Sequence, residues 1–153
     1  MRSPSVSIGY WERPDETAAT FVDGWCRTGD LGRITPRGRV QITGRKKDMI
    51  RTGGENVYPA EIEMVLSDHP AVSDIAVIGV PDQRFEEAVC AVVVVKPGHE
   101  LTEDEFRAYA RSRLAGFKVP KYVRIVTDLP RTASGKVQKF HLRDAYSDIE
   151  VVA

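Results

Sequence analysis

Ile75-Ala76-Val77-Ile78-Gly79-Val80 and Ala88-Val89-Cys90-Ala91-Val92-Val93-Val94-Val95 are two uninterrupted apolar runs, and they decide the fold. Each is too short for a buried helix of ordinary length. Both are rich in Val and Ile, whose branched side chains suit a pleated surface. We read them as central strands. Moving toward the N-terminus, Pro59 stands where the first turn of a helix tolerates it, with Glu61 and Glu63 near the positive end of the dipole. Ile62, Val65 and Leu66 make the buried stripe of that helix. Before it lie the adjacent glycines of Thr52-Gly53-Gly54-Glu55-Asn56, which supply backbone freedom and close approach. A basic loop, Arg45-Lys46-Lys47, precedes them.

Further back, Leu31 to Thr35 and Arg39 to Thr43 flank Thr35-Pro36-Arg37-Gly38. Pro at the second turn position and Gly at the fourth predict a type I turn and a β-hairpin. The first thirty residues show no periodic element. Tyr10, Trp11, Phe21 and Trp25 fall among Pro4, Gly9, Pro14, Gly24 and Gly29, an irregular segment that needs a larger body to pack on.

Toward the C-terminus, Thr102 and Glu105 predict a capping box, and Leu101 is placed to staple against Phe106. That helix is expected to end near Ala115-Gly116, before Pro120. Tyr122 to Val126 reads as a further strand and Phe140 to Tyr146 as a short final helix. No regular βαβ rhythm links these elements, so the class is α+β: a small mixed domain with a central antiparallel sheet flanked by helices, preceded by a β-hairpin and an irregular segment.

The chain has 153 residues, 42% hydrophobic and 29% charged, enough for one compact domain or a domain with a short extra piece. Its 22 basic and 22 acidic side chains cancel. A neutral balance argues against nucleic acid or a membrane surface as partner, since both select a positive surplus. The charges are unevenly placed. Between Glu55 and Glu87, Arg84 is the one basic residue; between Arg107 and Arg143, ten Lys or Arg accompany Asp128 alone. Two readings of this stay open, a pair of solvated faces or a local site for a polyanion. Cys26 and Cys90 lie far apart, and His69, His99 and His141 are scattered, so neither a disulfide framework nor a metal site is expected. No apolar stretch reaches the roughly 20 residues of a membrane span, and the start lacks a signal h-region. A cytoplasmic location is the expectation.

Four motifs then read in order: Gly24-Trp25-Cys26-Arg27-Thr28-Gly29-Asp30, Gly44-Arg45-Lys46-Lys47-Asp48-Met49-Ile50, Gly53-Gly54-Glu55-Asn56-Val57-Tyr58-Pro59-Ala60-Glu61, and Leu129-Pro130-Arg131-Thr132-Ala133-Ser134-Gly135-Lys136. The series resembles the adenylate-forming superfamily of acyl-CoA synthetases, peptide-synthetase adenylation domains and luciferases, from about Ser3 to Arg143. The resemblance implies that Asp30 accepts from both ribose hydroxyls of a nucleotide, a task a carboxylate suits. It implies that Arg45 reaches the ribose or phosphate of the adenylate and that Lys47 is the hinge. Residues 1–46 are then the tail of a large N-terminal adenylation domain and residues 47–153 a mobile lid. Lys136 is the implied catalytic residue, a flexible cation that meets the carboxylate and α-phosphate during adenylation. After rotation, Gly53 and Gly54 wall the pantetheine tunnel, and Phe117 and Lys121 meet the CoA nucleotide by stacking and charge.

Two departures stand out. Val119 occupies a position where some relatives carry arginine, and Phe85-Glu86-Glu87 replaces a usual Gly-Glu, which we read as loop variation. The family's phosphate loop, substrate pocket and magnesium ligand have no counterpart here, so the expectation is an excised fragment or truncated product, inactive alone. ATP or AMP, CoA and Mg would serve the complete enzyme, with a carboxylic acid as substrate and the N-terminal domain as partner. The wording Gly-Gly-Glu-Asn-Val-Tyr-Pro favours acyl-CoA or aryl-CoA ligases over peptide-synthetase lids; a non-catalytic binding module is the alternative from another class. A nucleotide P-loop fails at Gly135-Lys136, since Pro130 and Val137 stand where glycine and Ser or Thr are required. An RNA-recognition domain fails at Pro120, which would interrupt its pairing strand.

Overall fold

The computed structural model describes residues 1–149, and the chain divides into two compact units, Met1–Lys47 and a second beginning at Asp48. In the first unit, α1 (Pro14–Thr20) leads into a two-strand ribbon of β1 (Phe21–Val22) and β2 (Trp25–Cys26). The sequence reading gave this segment no regular element. A helix of 7 residues is too short to display an apolar period, but its local signals are present: Pro14 in the first turn followed by Asp15 and Glu16. Tyr10 packs edge-on against Phe21 at 5.7 Å, whereas Trp11 is 87% exposed. β3 (Asp30–Ile34) and β4 (Val40–Arg45) form the antiparallel hairpin. Its turn closes with Gly38 N–H donating to the Thr35 carbonyl at 2.8 Å, Gly38 taking φ +72°.

A 3₁₀ turn over Lys46–Asp48 leads into the second unit. There β5 (Ile50–Thr52) and β6 (Glu55–Val57) pair antiparallel across Gly53-Gly54. Both glycines have positive φ, +58° and +85°, as a two-residue type I′ hairpin turn requires. Next come α2 (Pro59–Leu66), the long strands β7 (Val72–Asp82) and β8 (Glu86–Val95), α3 (Glu103–Arg111), β9 (Tyr122–Val126) and α4 (Lys139–Ala145). The sheet is five-stranded, ordered β6-β5-β8-β7, with β9 also on β8. Every pairing is antiparallel except that of β9, which runs parallel to β8.

Alternation along β7 and β8 explains their unbroken apolar character. Val77, Val89 and Val93 enter one core with Ile62 and Leu66 of α2 and Phe106 of α3. Ile78, Cys90 and Val92 enter a second core with Leu129, which follows β9, and with Leu142 of α4. Both faces of these strands are covered, so neither needs polar residues. Glu86 and Glu87 belong to β8 rather than to a loop; they extend the hairpin to Asp82↔Glu86. The capping box forms as read: Thr102 Oγ1 accepts from Glu105 N–H at 3.2 Å, and the Glu105 carboxylate accepts from Thr102 N–H at 2.8 Å. The helix it opens stops earlier than expected. Ser112 caps it, its hydroxyl donating to the Tyr109 carbonyl at 2.8 Å, and a separate 3₁₀ turn covers Gly116–Lys118.

Candidate functional site

The candidate residues fall into three groups, each inside one unit. In the first unit, Asp30 and Arg45 are direct cross-strand partners. Arg45 Nε lies 2.7 Å from Asp30 Oδ1, and its Nη1 donates to the Thr28 carbonyl at 3.3 Å. Thr28 Oγ1 in turn accepts from Asp30 N–H at 3.2 Å, and Lys46 N–H donates to Gly29 carbonyl at 2.8 Å. The Thr-Gly-Asp turn and the following arginine are therefore one hydrogen-bonded cluster, an acceptor and a fork of donors side by side. Lys47 is exposed within the 3₁₀ turn. Its neighbour Asp48 is gripped by both Nη atoms of Arg143 at 3.2 Å.

In the second unit, Gly53, Phe117 and Lys121 line one groove of about 340 Å³. Gly54 sits beside them at the hairpin tip with open space around its Cα. Phe85, which the sequence reading assigned to loop variation, lines the same groove. A Cβ on Gly53 would lie 3.2 Å from the Phe85 ring, so the missing side chain leaves room for that ring. Lys121 is ion-paired with Asp82, whose side chain is fully covered. The Asp82 carboxylate also accepts from the N–H groups of Arg84 and Phe85 at 3.0 and 3.1 Å. The bond from Lys121, then those two N–H groups, hold the Asp82 carboxyl below the usual carboxylate range, against the opposing effect of burial. Asp82 thus fixes both a cation and an aromatic ring of the groove. Sequence reasoning missed it, although Asp followed by two N–H donors at i+2 and i+3 is an ordinary turn signal.

Lys136 ends a tight loop. Gly135 N–H donates to the Thr132 carbonyl at 2.9 Å, Thr132 N–H to the Lys136 carbonyl at 2.9 Å, and Lys136 N–H to Thr132 Oγ1 at 3.1 Å. Both backbone groups of Lys136 are engaged by Thr132. Its side chain is exposed and has no partner among the described residues. That isolation is unusual in this neighbourhood. Lys118 pairs with Glu61, Lys121 with Asp82, Arg131 with Asp74 and Lys139 with Glu63. Among the described residues, no group of three His, Cys, Asp or Glu could hold a metal ion. No helix among them is long and apolar enough to cross a membrane.

Residues 61–136 match the family of AMP-binding enzyme C-terminal domains, a match that ends on Lys136. Residues 61–136 belong to that family. The medium-chain acyl-CoA ligase ACSF2, mitochondrial, of Macaca fascicularis is 44% identical over 145 residues, 94% of this chain and 24% of the relative. The 3-[(3aS,4S,7aS)-7a-methyl-1,5-dioxo-octahydro-1H-inden-4-yl]propanoyl:CoA ligase of Rhodococcus jostii is 51% identical over 145 residues, 94% of this chain and 28% of that one. The o-succinylbenzoate CoA synthetase MenE of Bacillus subtilis, solved with its acyl-adenylate intermediate, superimposes with a TM-score of 0.87 at 36% identity. It covers 94% of this chain and 29% of the synthetase. The chain spans about a quarter of the length of the curated relatives it matches. Its fold is that of the adenylate-forming C-terminal domain.

Proposed function

We propose that this AMP-binding enzyme C-terminal domain is the lid of an acyl-CoA synthetase that activates a carboxylic acid with ATP and passes the acyl group to CoA. The observation that carries the reading is Lys136: a solitary cation, backbone-locked and side-chain-free, at the end of the family match. A long unpaired ammonium suits an electrophilic partner for charge that builds on the reacting carboxylate and phosphate. Asp30 and Arg45 are the nucleotide contacts in this proposal, the carboxylate for the ribose diol and the guanidinium for ribose or phosphate oxygens. Lys47, beside the boundary between the compact units, is the hinge, with 1–46 belonging to the large domain and 47–153 to the lid. The groove of Gly53, Phe117 and Lys121, with Gly54 at its rim, takes CoA: an apolar wall and aromatic ring for the thin chain and base, a cation for phosphate. The Mg ligands belong to the N-terminal adenylation domain, the partner this lid works against. The free thiols of Cys26 and Cys90 suit a reducing compartment, of which the cytoplasm is the location we propose.

The test is Lys136→Ala in the full-length enzyme, with the two half-reactions measured apart. Pyrophosphate release should slow by roughly 10² to 10³, the effect of removing one electrostatic stabiliser. Thioester formation from preformed acyl-adenylate should be retained. Equal losses in both steps would refute the role of Lys136.

A further inference from the structure

We infer that Arg131, held by Asp74, is the positioning residue that sets Lys136 for adenylation; this rests on the assignment of Lys136 proposed above. Arg131 pairs with Val137 across the neck of the loop, and its guanidinium faces two ways. Nη1 donates to the carbonyl of Gly135, the residue before Lys136, and Nη2 to Asp74 Oδ2. Gly135 has φ +82°, a conformation the loop must hold to direct the next residue outward.

Asp74 is itself fixed. It follows a register irregularity in β7 between Val72 and Asp74, the kind of bulge that re-aims a side chain. Its Oδ1 accepts from the Ile75 N–H at 2.9 Å, which leaves Oδ2 for Arg131. The loop is therefore tied through one planar fork to β7, a strand buried on both faces. Thr132 holds the backbone N–H and C=O of Lys136 from the other side of the turn. The backbone N–H and C=O of both Gly135 and Lys136 are engaged, and the lysine's ammonium is left to act.

Both partners are partly exposed, 39% for Arg131 and 31% for Asp74, so the pair adds little to global stability. Its consequence is geometric. A displacement of about 1 Å in a reacting group can cost up to about 10² in rate. In the full-length enzyme, Arg131→Ala and Asp74→Asn should each slow pyrophosphate release roughly tenfold or more. Thioester formation from preformed adenylate should stay within about twofold, and the double variant should be no slower than Arg131→Ala, because the two act through one contact. Arg131→Lys should recover part of the loss, and serves also if the alanine variant misfolds. Equal losses in both half-reactions overturn the inference. So does unimpaired adenylation in Arg131→Ala and Arg131→Lys while Lys136→Ala is slow. Normal adenylation in Lys136→Ala overturns both this inference and the lysine assignment beneath it.

Discussion

Replacing Asp82 separates two roles that one carboxylate plays. Its side chain is covered by its immediate neighbours but sits at a shallow turn, and its partner Lys121 is 47% exposed. Asp82→Ala removes the acceptor for two backbone N–H groups and the partner of Lys121. Hydrogen bonds to a charged acceptor contribute about 1.5 kcal/mol or more each, but Arg84 and Phe85 lie at an exposed turn where water replaces part of this. The freed ammonium rehydrates, so the ion pair adds at most about 1 kcal/mol. The expected loss is about 2 to 3 kcal/mol for Asp82→Ala and about 1 kcal/mol for Asp82→Asn, whose amide oxygen still accepts from the turn. Because the folded carboxyl titrates below its unfolded value near 3.9, its contribution is fully present above about pH 4. It disappears as pH falls through the lower folded value, so the gap between wild type and Asp82→Asn should close in acid. Urea titration followed by far-UV circular dichroism is the assay. Tryptophan emission would report the wrong unit, since Trp11 and Trp25 both precede Lys47. An Asp82→Ala protein within 0.5 kcal/mol of wild type on the scale of these estimates, or a gap to Asp82→Asn that is constant with pH, would refute this account.

Two further outcomes follow from local geometry. Gly54→Ala should destabilise the second unit by roughly 1 to 2 kcal/mol, from backbone strain alone, because φ is +85° and no neighbour lies within 4 Å of the added Cβ. Gly54→Asn should cost less in the same urea titrations, since Asn tolerates that region; equal losses would point to side-chain contact instead. In thiol labelling with a disulfide reagent at pH 8, Cys90 should stay silent until denaturant is added. It is buried, and burial pushes its thiol up to about 12, whereas Cys26 is partly accessible and should react first.

What the sequence reveals and what it hides divide by chain separation. The two apolar runs, the capping box at Thr102 and the turn at Thr35-Pro36-Arg37-Gly38 are local signals, and each forms at the residues where it was read, although β7, read as a central strand, stands at the end of the sheet order beside β8. Gly53-Gly54 was legible as backbone freedom but not as a hairpin turn facing Phe85, because Phe85 arrives there only through the β5–β8 pairing. The same limit applies to Asp82 with Lys121 and Asp74 with Arg131, partners 39 and 57 residues apart. Register and the bulge in β7 bring them together, and neither is written in composition. The opposed charge stretches show what this hides. As pattern alone they allowed two solvated faces or a polyanion site. In the fold, Glu61, Glu63, Asp74 and Asp82 of the acidic stretch pair with Lys118, Lys139, Arg131 and Lys121 of the basic one. Arg107 and Arg124 meet Glu103, and Arg143 meets Asp48. Arg113 lies over the Tyr109 ring at 3.6 Å. The apparent excess is thus mostly consumed inside the domain, and a diffuse polyanion surface loses its support. Of the ten basic residues, Arg111 and Lys136 alone make no side-chain hydrogen bond, ion pair or ring contact among the described residues. Arg111 stands at the open end of a surface helix. Lys136 stands on a loop whose backbone is held by an arginine, a threonine and, through the arginine, an aspartate, which leaves its ammonium free for the role proposed above.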